Sequence, residues 1–396
     1  MPAIERITIA GAGVVTAIGQ DVDAFWSGLL TGADGISAIE RFRVDDLRVG
    51  QGGEIKKLTR DVAWGRTPDC RASRLLVAAA DELRAQTGLR DLGVAPERLA
   101  VVVGTALGGV EELERALEGD GGRRRLRGAL YDTPGANLAR WLGARGPVLT
   151  VATACASGAT AIGVGADLLR HGQADAVIAG GYDVLCRFVM RGFHALRSLT
   201  RDRIRPFDRR RSGLLLGEGA ALVLLTRERD WRQRPLGWLR GHASTSDGHH
   251  ISAPHPEGRG LERAIGLALA EADLSPDDVD FVSAHGTGTP LNDPIETAVL
   301  KRALGRRAAA VPVNSIKPVL GHTMGAAATL EAIMCLLASR HGQIPPTRHL
   351  EEPDPSCDLD YVPGASPRAA RPRVSVSTSL GFGGCNAALV LEGVIA

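Results

Sequence analysis

Three residues of this chain combine chemical type and setting in a way that could do covalent chemistry: Cys155, His285 and His322. Cys155 follows Gly146-Pro147-Val148-Leu149-Thr150-Val151, which has the β-branched character of a strand. It precedes a run of small apolar residues ending in Leu168-Leu169-Arg170-His171-Gly172, a basic last turn with glycine just past it. The thiol therefore stands where a strand becomes a helix, and that helix, apolar on all faces, is expected to be buried. Free backbone N–H groups and the positive end of the helix favour a thiolate, the nucleophilic form, so a depressed pKa is expected. The same N–H groups could receive an oxyanion. An inert buried thiol is the competing reading. His285 and His322 also follow strand-like stretches, and ligands gather at the carboxyl ends of strands in α/β sheets. A Cys with two His suggests acyl transfer through a thioester. One His could serve as base. Alternatively, both could donate N–H bonds to one thioester oxygen, stabilising the enolate that decarboxylation of a malonyl thioester requires. Lys317, one of only four lysines, could tune His322 by its charge.

Strands and helices alternate along the chain, which implies an α/β protein with parallel sheets covered on both faces. Strands are expected at residues 6–10, 98–105, 174–181, 220–225, near Gly237, and at 281–284, 312–316, 374–379 and 387–391. Helices are expected at 21–30, 71–88 and 293–304, with a small-residue helix running to Ser339. Gly11-Ala12-Gly13 opens like a dinucleotide fingerprint, but Thr16 stands at the third glycine position, so a tight turn is the preferred reading. Arg123-Arg124-Arg125 reads as an exposed basic loop. Residues 201–211 hold six arginines, a solvated surface by default and a docking patch for an acidic partner as the sharper reading. The four histidines between His242 and His255 fit no standard zinc spacing.

With 396 residues, 44% hydrophobic and 23% charged, the composition is that of a globular protein. A net charge of +2 gives no sign of nucleic-acid or membrane binding, and no segment is long and apolar enough to span a bilayer. The start lacks a signal-peptide pattern, and six scattered cysteines with no CxxC pair point to reduced thiols in the cytoplasm. The sparse lysines and abundant arginines hint at a GC-rich bacterial genome. An internal repeat pairs Arg170-His171-Gly172-Gln173 with Arg340-His341-Gly342-Gln343, each closing an Ala/Gly-rich helix after a strand and a turn with a polar reactive residue. Duplication would place Cys155 and His322 at related helix starts.

The motifs taken together resemble the β-ketoacyl-acyl carrier protein synthases of the thiolase-like superfamily, nearest to the synthase II type. The resemblance rests on residues 9–16, on Thr153-Ala154-Cys155-Ala156-Ser157-Gly158, on His285-Gly286-Thr287-Gly288-Thr289-Pro290-Leu291-Asn292-Asp293, on Asn314-Ser315-Ile316-Lys317-Pro318-Val319-Leu320-Gly321-His322, and on Gly381-Phe382-Gly383-Gly384 with Asn386. It implies an α/β, five-layer αβαβα sandwich of two pseudo-equivalent halves: residues 1–228 with the nucleophile and 236–396 with the two histidines. It implies Cys155 as acyl acceptor, His285 and His322 holding the malonyl thioester carbonyl, and Lys317 in support with Glu331 as its ion-pair partner. Phe382 would be the gate, the N–H groups of Cys155 and Phe382 the oxyanion hole, and Thr287 and Thr289 partners of the phosphopantetheine arm. No metal or nucleotide cofactor is implied. The implied partners are acyl carrier protein and a second copy of the chain, or a related subunit in a heterodimer.

Ser212 and Leu214 stand where Asp and Phe are usual in the family, the segment between Leu199 and Pro206 is short, and Cys385 replaces a common Thr. The implied activity is 3-oxoacyl-acyl carrier protein synthesis, in fatty acid or type II polyketide or polyene pathways. A chain-length-setting partner subunit is the alternative. A thioester or amide hydrolase, or a coenzyme A thiolase, are further ones, although the second cysteine of a thiolase is missing near Gly381.

Overall fold

The computed structural model describes residues 5–60, 70–89, 93–120 and 122–394. Ten strands form one hydrogen-bonded sheet. We number them β1 (Ile7–Val15), β2 (Leu99–Gly104), β3 (Val148–Val151), β4 (Ala176–Asp183), β5 (Gly219–Arg227), β6 (Gly237–Ser246), β7 (Phe281–Ser283), β8 (Val313–Asn314), β9 (Val374–Gly381) and β10 (Cys385–Gly393). The spatial order is β3-β2-β4-β5-β1 in the first half and β8-β7-β9-β10-β6 in the second, the same sequence of roles. In each half four strands run in one direction and one, β5 or β10, runs against them, so the sheets are mixed where alternation alone suggested parallel ones. A short antiparallel pairing of Ile7–Ile9 with Gly237–Leu239 joins the halves.

The longer helices around the sheet are α1 (Val22–Thr31), α2 (Arg71–Thr87), α3 (Thr133–Leu142), α4 (Ser157–Arg170), α6 (Arg259–Glu271) and α8 (Ala327–His341), with α5 (Arg187–Ala195) and α7 (Asn292–Leu304) packed on other helices. α2 and α3 pack on the first half, and α6, with α7 beside it, on the second. Both α4 and α8 touch strands of both halves and each other, and so form the middle layer of a five-layer α/β sandwich. This explains their composition. A helix pressed between two sheets has no polar face, and Leu330, Ile333, Leu336 and Leu337 of α8 are all buried. Truncating any one to Ala is worth about 2–5 kcal/mol.

Gly11 and Gly13 lie inside β1, not in a turn. A Cβ on Gly13 would sit 1.9 Å from the Ala79 carbonyl oxygen, so the glycines let α2 lie directly on the strand. The chain turns later, where Asp21 caps α1 by accepting the Ala24 N–H at 2.7 Å. Arg123, Arg124 and Arg125 fall in a helix, Gly122–Gly128, where a loop was expected. The repeat is real and keeps the register of residues 170–173 and 340–343, but Cys155 and His322 are not its equivalent positions. The single 3-10 turns Ala154–Ala156 and Met324–Ala326 correspond, with Ala154 at φ 50° and Met324 at φ 51°. Cys155 is thus matched by Gly325, and His322 lies three residues before that position.

Candidate active site

Cys155 occupies its 3-10 turn between β3 and α4. The left-handed backbone at Ala154 costs about 1–3 kcal/mol and is held by neighbours. Ser157 Oγ accepts the Thr153 N–H at 2.9 Å and donates to the Ala154 carbonyl at 2.6 Å. The thiol is 7% exposed. Burial pushes it up to about 12, opposed by the charge of Lys317 and reinforced by Asp183 and Glu331. The helix start therefore does not deliver the depressed pKa expected from position alone, because desolvation of the thiolate outweighs it.

His285 stands two residues past β7, on a loop that turns through Gly286 at φ 40° and Gly288 at φ 73°. A buried carboxylate organises this loop. Glu296 accepts the N–H groups of His285 and Gly286 at 2.7 and 2.9 Å, and the Thr378 hydroxyl at 2.8 Å. Asp293, one turn earlier on α7, accepts from Gly288 N–H and Phe207 N–H, and burial pushes its carboxyl up to about 6. Ser315 Oγ donates to the Gly286 carbonyl at 2.7 Å. His322 is clamped at both backbone groups: its N–H donates to the Leu215 carbonyl at 2.7 Å, and its carbonyl accepts the Gly217 N–H at 2.9 Å. Glu218 fixes that clamp. It is fully buried and takes Arg71 in a two-pronged pair, along with the Ile55 and Leu185 N–H groups.

The two imidazoles meet nearly at right angles, ring centroids 5.3 Å apart. Both titrate well below the ordinary 6.5, first through burial and then through the positive charge of Lys317. They are neutral at physiological pH, each with one N–H to donate. Both ring nitrogens of His322 and Nδ1 of His285 are buried without a hydrogen-bond partner among the described residues. Lys317 lies behind them, its Nζ donating to the His285 carbonyl and to Glu331 Oε1, both at 2.5 Å. Burial raises the Glu331 carboxyl to about 7 despite that ammonium.

Cys155, His285, His322, Thr287, Thr289 and Phe382 line one cavity of about 340 Å³. It reaches the surface at Leu291, which is 59% exposed. The two threonine hydroxyls are 3.0 Å apart. Phe382 tilts against Phe193 of α5 at 5.5 Å. Its loop is tied down by Gly383 N–H to the Ile251 carbonyl, Asp247 N–H to the Gly384 carbonyl, and Asn386 Nδ2 to Asp247 Oδ1, each at 2.8 Å. Ser212 and Leu214 also line the cavity, and Ser212 is bonded to Thr200 at 2.7 Å across the short segment.

The arginine run divides. Arg205, Arg209, Arg210 and Arg211 pair with Glu351, Glu352 and Asp354, so they clasp the chain to itself. Arg201 instead joins Arg48 and Arg197 around a second cavity of about 310 Å³, and among the described residues none of the three has an acidic partner. The sequence reading missed Glu296, Asp293, Glu218 and Asp247. The spacing of Asp293 and Glu296, three apart in the first turns of α7, is the signal that could have found the first two, since it puts both carboxylates on the face toward the His285 loop.

Residues 4–230 match the family described as the β-ketoacyl synthase N-terminal domain, and residues 236–351 match the β-ketoacyl synthase C-terminal domain. The chain is 36% identical over 408 residues to a 3-oxoacyl-[acyl-carrier-protein] synthase 2 of Synechocystis sp., covering 98% of each. It is 38% identical over 417 residues to the tetracenomycin polyketide synthase ketoacyl synthase alpha subunit of Streptomyces glaucescens, covering 98% of this chain and 97% of that one. Among solved structures, the ishigamide ketosynthase/chain length factor superposes with a TM-score of 0.93 at 34% identity, covering 99% of this chain and all of that one.

Proposed function

Because the chain belongs to the β-ketoacyl synthase family, we propose that its cavity performs decarboxylative Claisen condensation, making it a 3-oxoacyl-acyl carrier protein synthase. One observation carries the reading: a single cavity joins a cysteine thiol to two neutral imidazoles, three of whose ring nitrogens have no partner among the described residues.

Cys155 sulfur attacks the carbonyl of an acyl thioester on acyl carrier protein, displacing the carrier thiol. The proton lost by Cys155 passes to that leaving thiolate. The N–H groups of Cys155 and Phe382 receive the carbonyl oxygen as it turns negative. Malonyl-acyl carrier protein then enters, and Thr287 and Thr289 bond its phosphopantetheine arm. Its carboxylate leaves as carbon dioxide, and the bonding pair becomes an enolate whose oxygen is held by His285 and His322. The enolate carbon forms the new carbon–carbon bond at the Cys155 thioester. The carbon–sulfur bond breaks, and the sulfur takes a proton from solvent. The scheme uses no metal or nucleotide, since loss of carbon dioxide supplies the carbanion. Lys317 has an electrostatic role: burial first, and then its charge held beside Glu331, keep both imidazoles unprotonated, as donors and not acids. Phe382 gates the cavity from its perch on Phe193.

The two units, 1–228 and 236–396, divide the labour, the first supplying the nucleophile and the second the imidazoles. The unpaired guanidiniums of Arg48, Arg197 and Arg201 suit an acidic carrier protein. The outer strand β3 exposes Val148 and Leu149 and an unpaired backbone edge, which suits a homodimer or a ketosynthase heterodimer. All six cysteines are free, in keeping with a cytoplasmic location, and among the described residues no helix is long and apolar enough to cross a membrane. A purely chain-length-setting subunit would have no use for the complete Cys155–His285–His322 cavity.

The test supplies acyl-acyl carrier protein and malonyl-acyl carrier protein and weighs the carrier-bound product. The parent chain yields the 3-oxoacyl product two carbons longer, and Cys155→Ala yields none. Elongation by Cys155→Ala, or free acid from the parent, overturns the reading.

A further inference from the structure

The two halves present their helix starts to each other's strands in the same way, and one pair of equivalent positions differs. β4 and β9 end at Asp183 and Gly381, and each of these faces the first residue of the following strand, Gly219 and Cys385 respectively. The end of β4 packs against the turn Met324–Ala326 of the other half, and the end of β9 packs against the turn Ala154–Ala156. At the first contact, Asp183 Oδ2 accepts the Gly325 N–H at 2.7 Å. Gly325 stands where Cys155 stands in the other turn. Asp183 is fully buried and also takes Thr105 Oγ1 at 2.6 Å and the N–H groups of Ala106 and Leu107. At the second contact there is no side chain. A Cβ on Gly381 would lie 3.1 Å from Cys155 N and 3.0 Å from the Thr153 oxygen and the Ala154 Cβ. Gly381 has φ −124°, a conformation any residue adopts, so the glycine is not required by the backbone.

We propose that Gly381 is a positioning residue of the acylation step: its bare α-carbon leaves the Cys155 N–H open to a thioester oxygen, whereas at the related place the carboxylate of Asp183 already occupies the Gly325 N–H. One turn is closed by a built-in anion and the other is left to receive one from substrate. This rests on the functional reading above, in which the Cys155 N–H stabilises an oxyanion. It adds the reason that one of two related turns is the catalytic one. Cys155→Gly is in effect what the closed turn carries, and a Cβ at 325 would meet Asp183 Oδ2 at 2.8 Å, so the closed turn has room for neither thiol nor substrate.

The experiment compares the parent, Gly381→Ala and Gly381→Asp. It reads the rate of acyl adduct formation on Cys155 by intact mass, at a series of acyl-acyl carrier protein concentrations. Gly381→Asp is expected to lower the saturating rate about 100-fold or more, the scale of losing one oxyanion donor, with the half-saturating concentration within about threefold of the parent. Gly381→Ala, which crowds the amide without an anion, is expected to lose no more than about tenfold. Equal rates for the Asp and Ala variants overturn the proposal. A parent that forms no adduct sinks the functional reading instead, so the two failures are separable. A second arm needs neither activity nor a folded 381 variant. In Asp183→Gly, sodium formate, and not sodium chloride at equal ionic strength, is expected to raise the unfolding midpoint and shift the Gly325 amide resonance of ¹⁵N-glycine-labelled protein. An unmoved Gly325 resonance contradicts the account of the closed turn.

Discussion

Cys155 shows how a residue's type can be read in a sequence while its protonation cannot. The strand-to-helix position was legible from Val148-Leu149-Thr150-Val151 before it and the Ala/Gly run after it. Desolvation was not, because it depends on β9, the His285 loop and α8 closing over the sulfur, all more than a hundred residues away. The same burial acts on His285 and His322, where it combines with Lys317 to keep both rings neutral, as the proposed enolate-holding role requires. Their folded pKa values lie below the unfolded value of about 6.5. The stability tied to neutral rings is therefore present above that pH and is lost as pH falls below it. For Cys155 the sign is opposite to that of an activated thiol. Its alkylation by iodoacetamide should rise about tenfold per pH unit from 7 to 9 without a plateau, since the thiolate fraction keeps growing toward about 12. A plateau with a midpoint below pH 8, followed by mass spectrometry of the Cys155 peptide, would contradict this.

Among elements, the middle helices and most strands were legible because their patterns are strong. α4 and α8 are rich in small and aliphatic residues, and α2 closes on Gly88 at φ 59°, at the end expected for that helix. Two readings failed for a shared reason. Gly11-Ala12-Gly13 looked like a turn, and Cys155 was matched with His322, one turn away from its counterpart Gly325, because glycine and alanine mark close packing as readily as they mark bends. The clamp on His322 was invisible for a different reason: it is backbone pairing between residues 215–217 and 322, which no spacing rule reports. Glu218 is its anchor. Glu218→Ala leaves the Arg71 guanidinium largely buried without its carboxylate, so a loss of about 3–5 kcal/mol is expected in urea unfolding. A loss below about 1 kcal/mol would show that the pair does not hold the element.

The whole molecule is a duplicated α/β unit in which one of two related turns carries a thiol and the other a glycine closed by Asp183. The order β3-β2-β4-β5-β1 returns as β8-β7-β9-β10-β6, yet Cys155 is matched by Gly325 and Gly381 by Asp183. Residues 170–173 and 340–343 disclosed the duplication together with its register, which puts Gly325 opposite Cys155, and the strand order agrees. At this scale the outer edge of β3 remains unpaired, with Val148 and Leu149 exposed at 40% and 39%. If that edge joins two chains, Leu149→Lys should convert a dimer to a monomer in light scattering, because a charge on an edge strand opposes pairing. An unchanged molar mass places the contact elsewhere.

The central claim is that an acyl group rests on Cys155 before carbon–carbon bond formation in the same cavity. Intact-mass spectrometry of the protein after acyl-acyl carrier protein alone, and again after malonyl-acyl carrier protein, tests it most directly. The account predicts a gain of one acyl mass mapping to the Cys155 peptide, then its loss with release of carbon dioxide and appearance of the 3-oxoacyl carrier protein. Elongated product with no adduct on Cys155, or an adduct confined to another cysteine such as Cys186, would contradict it.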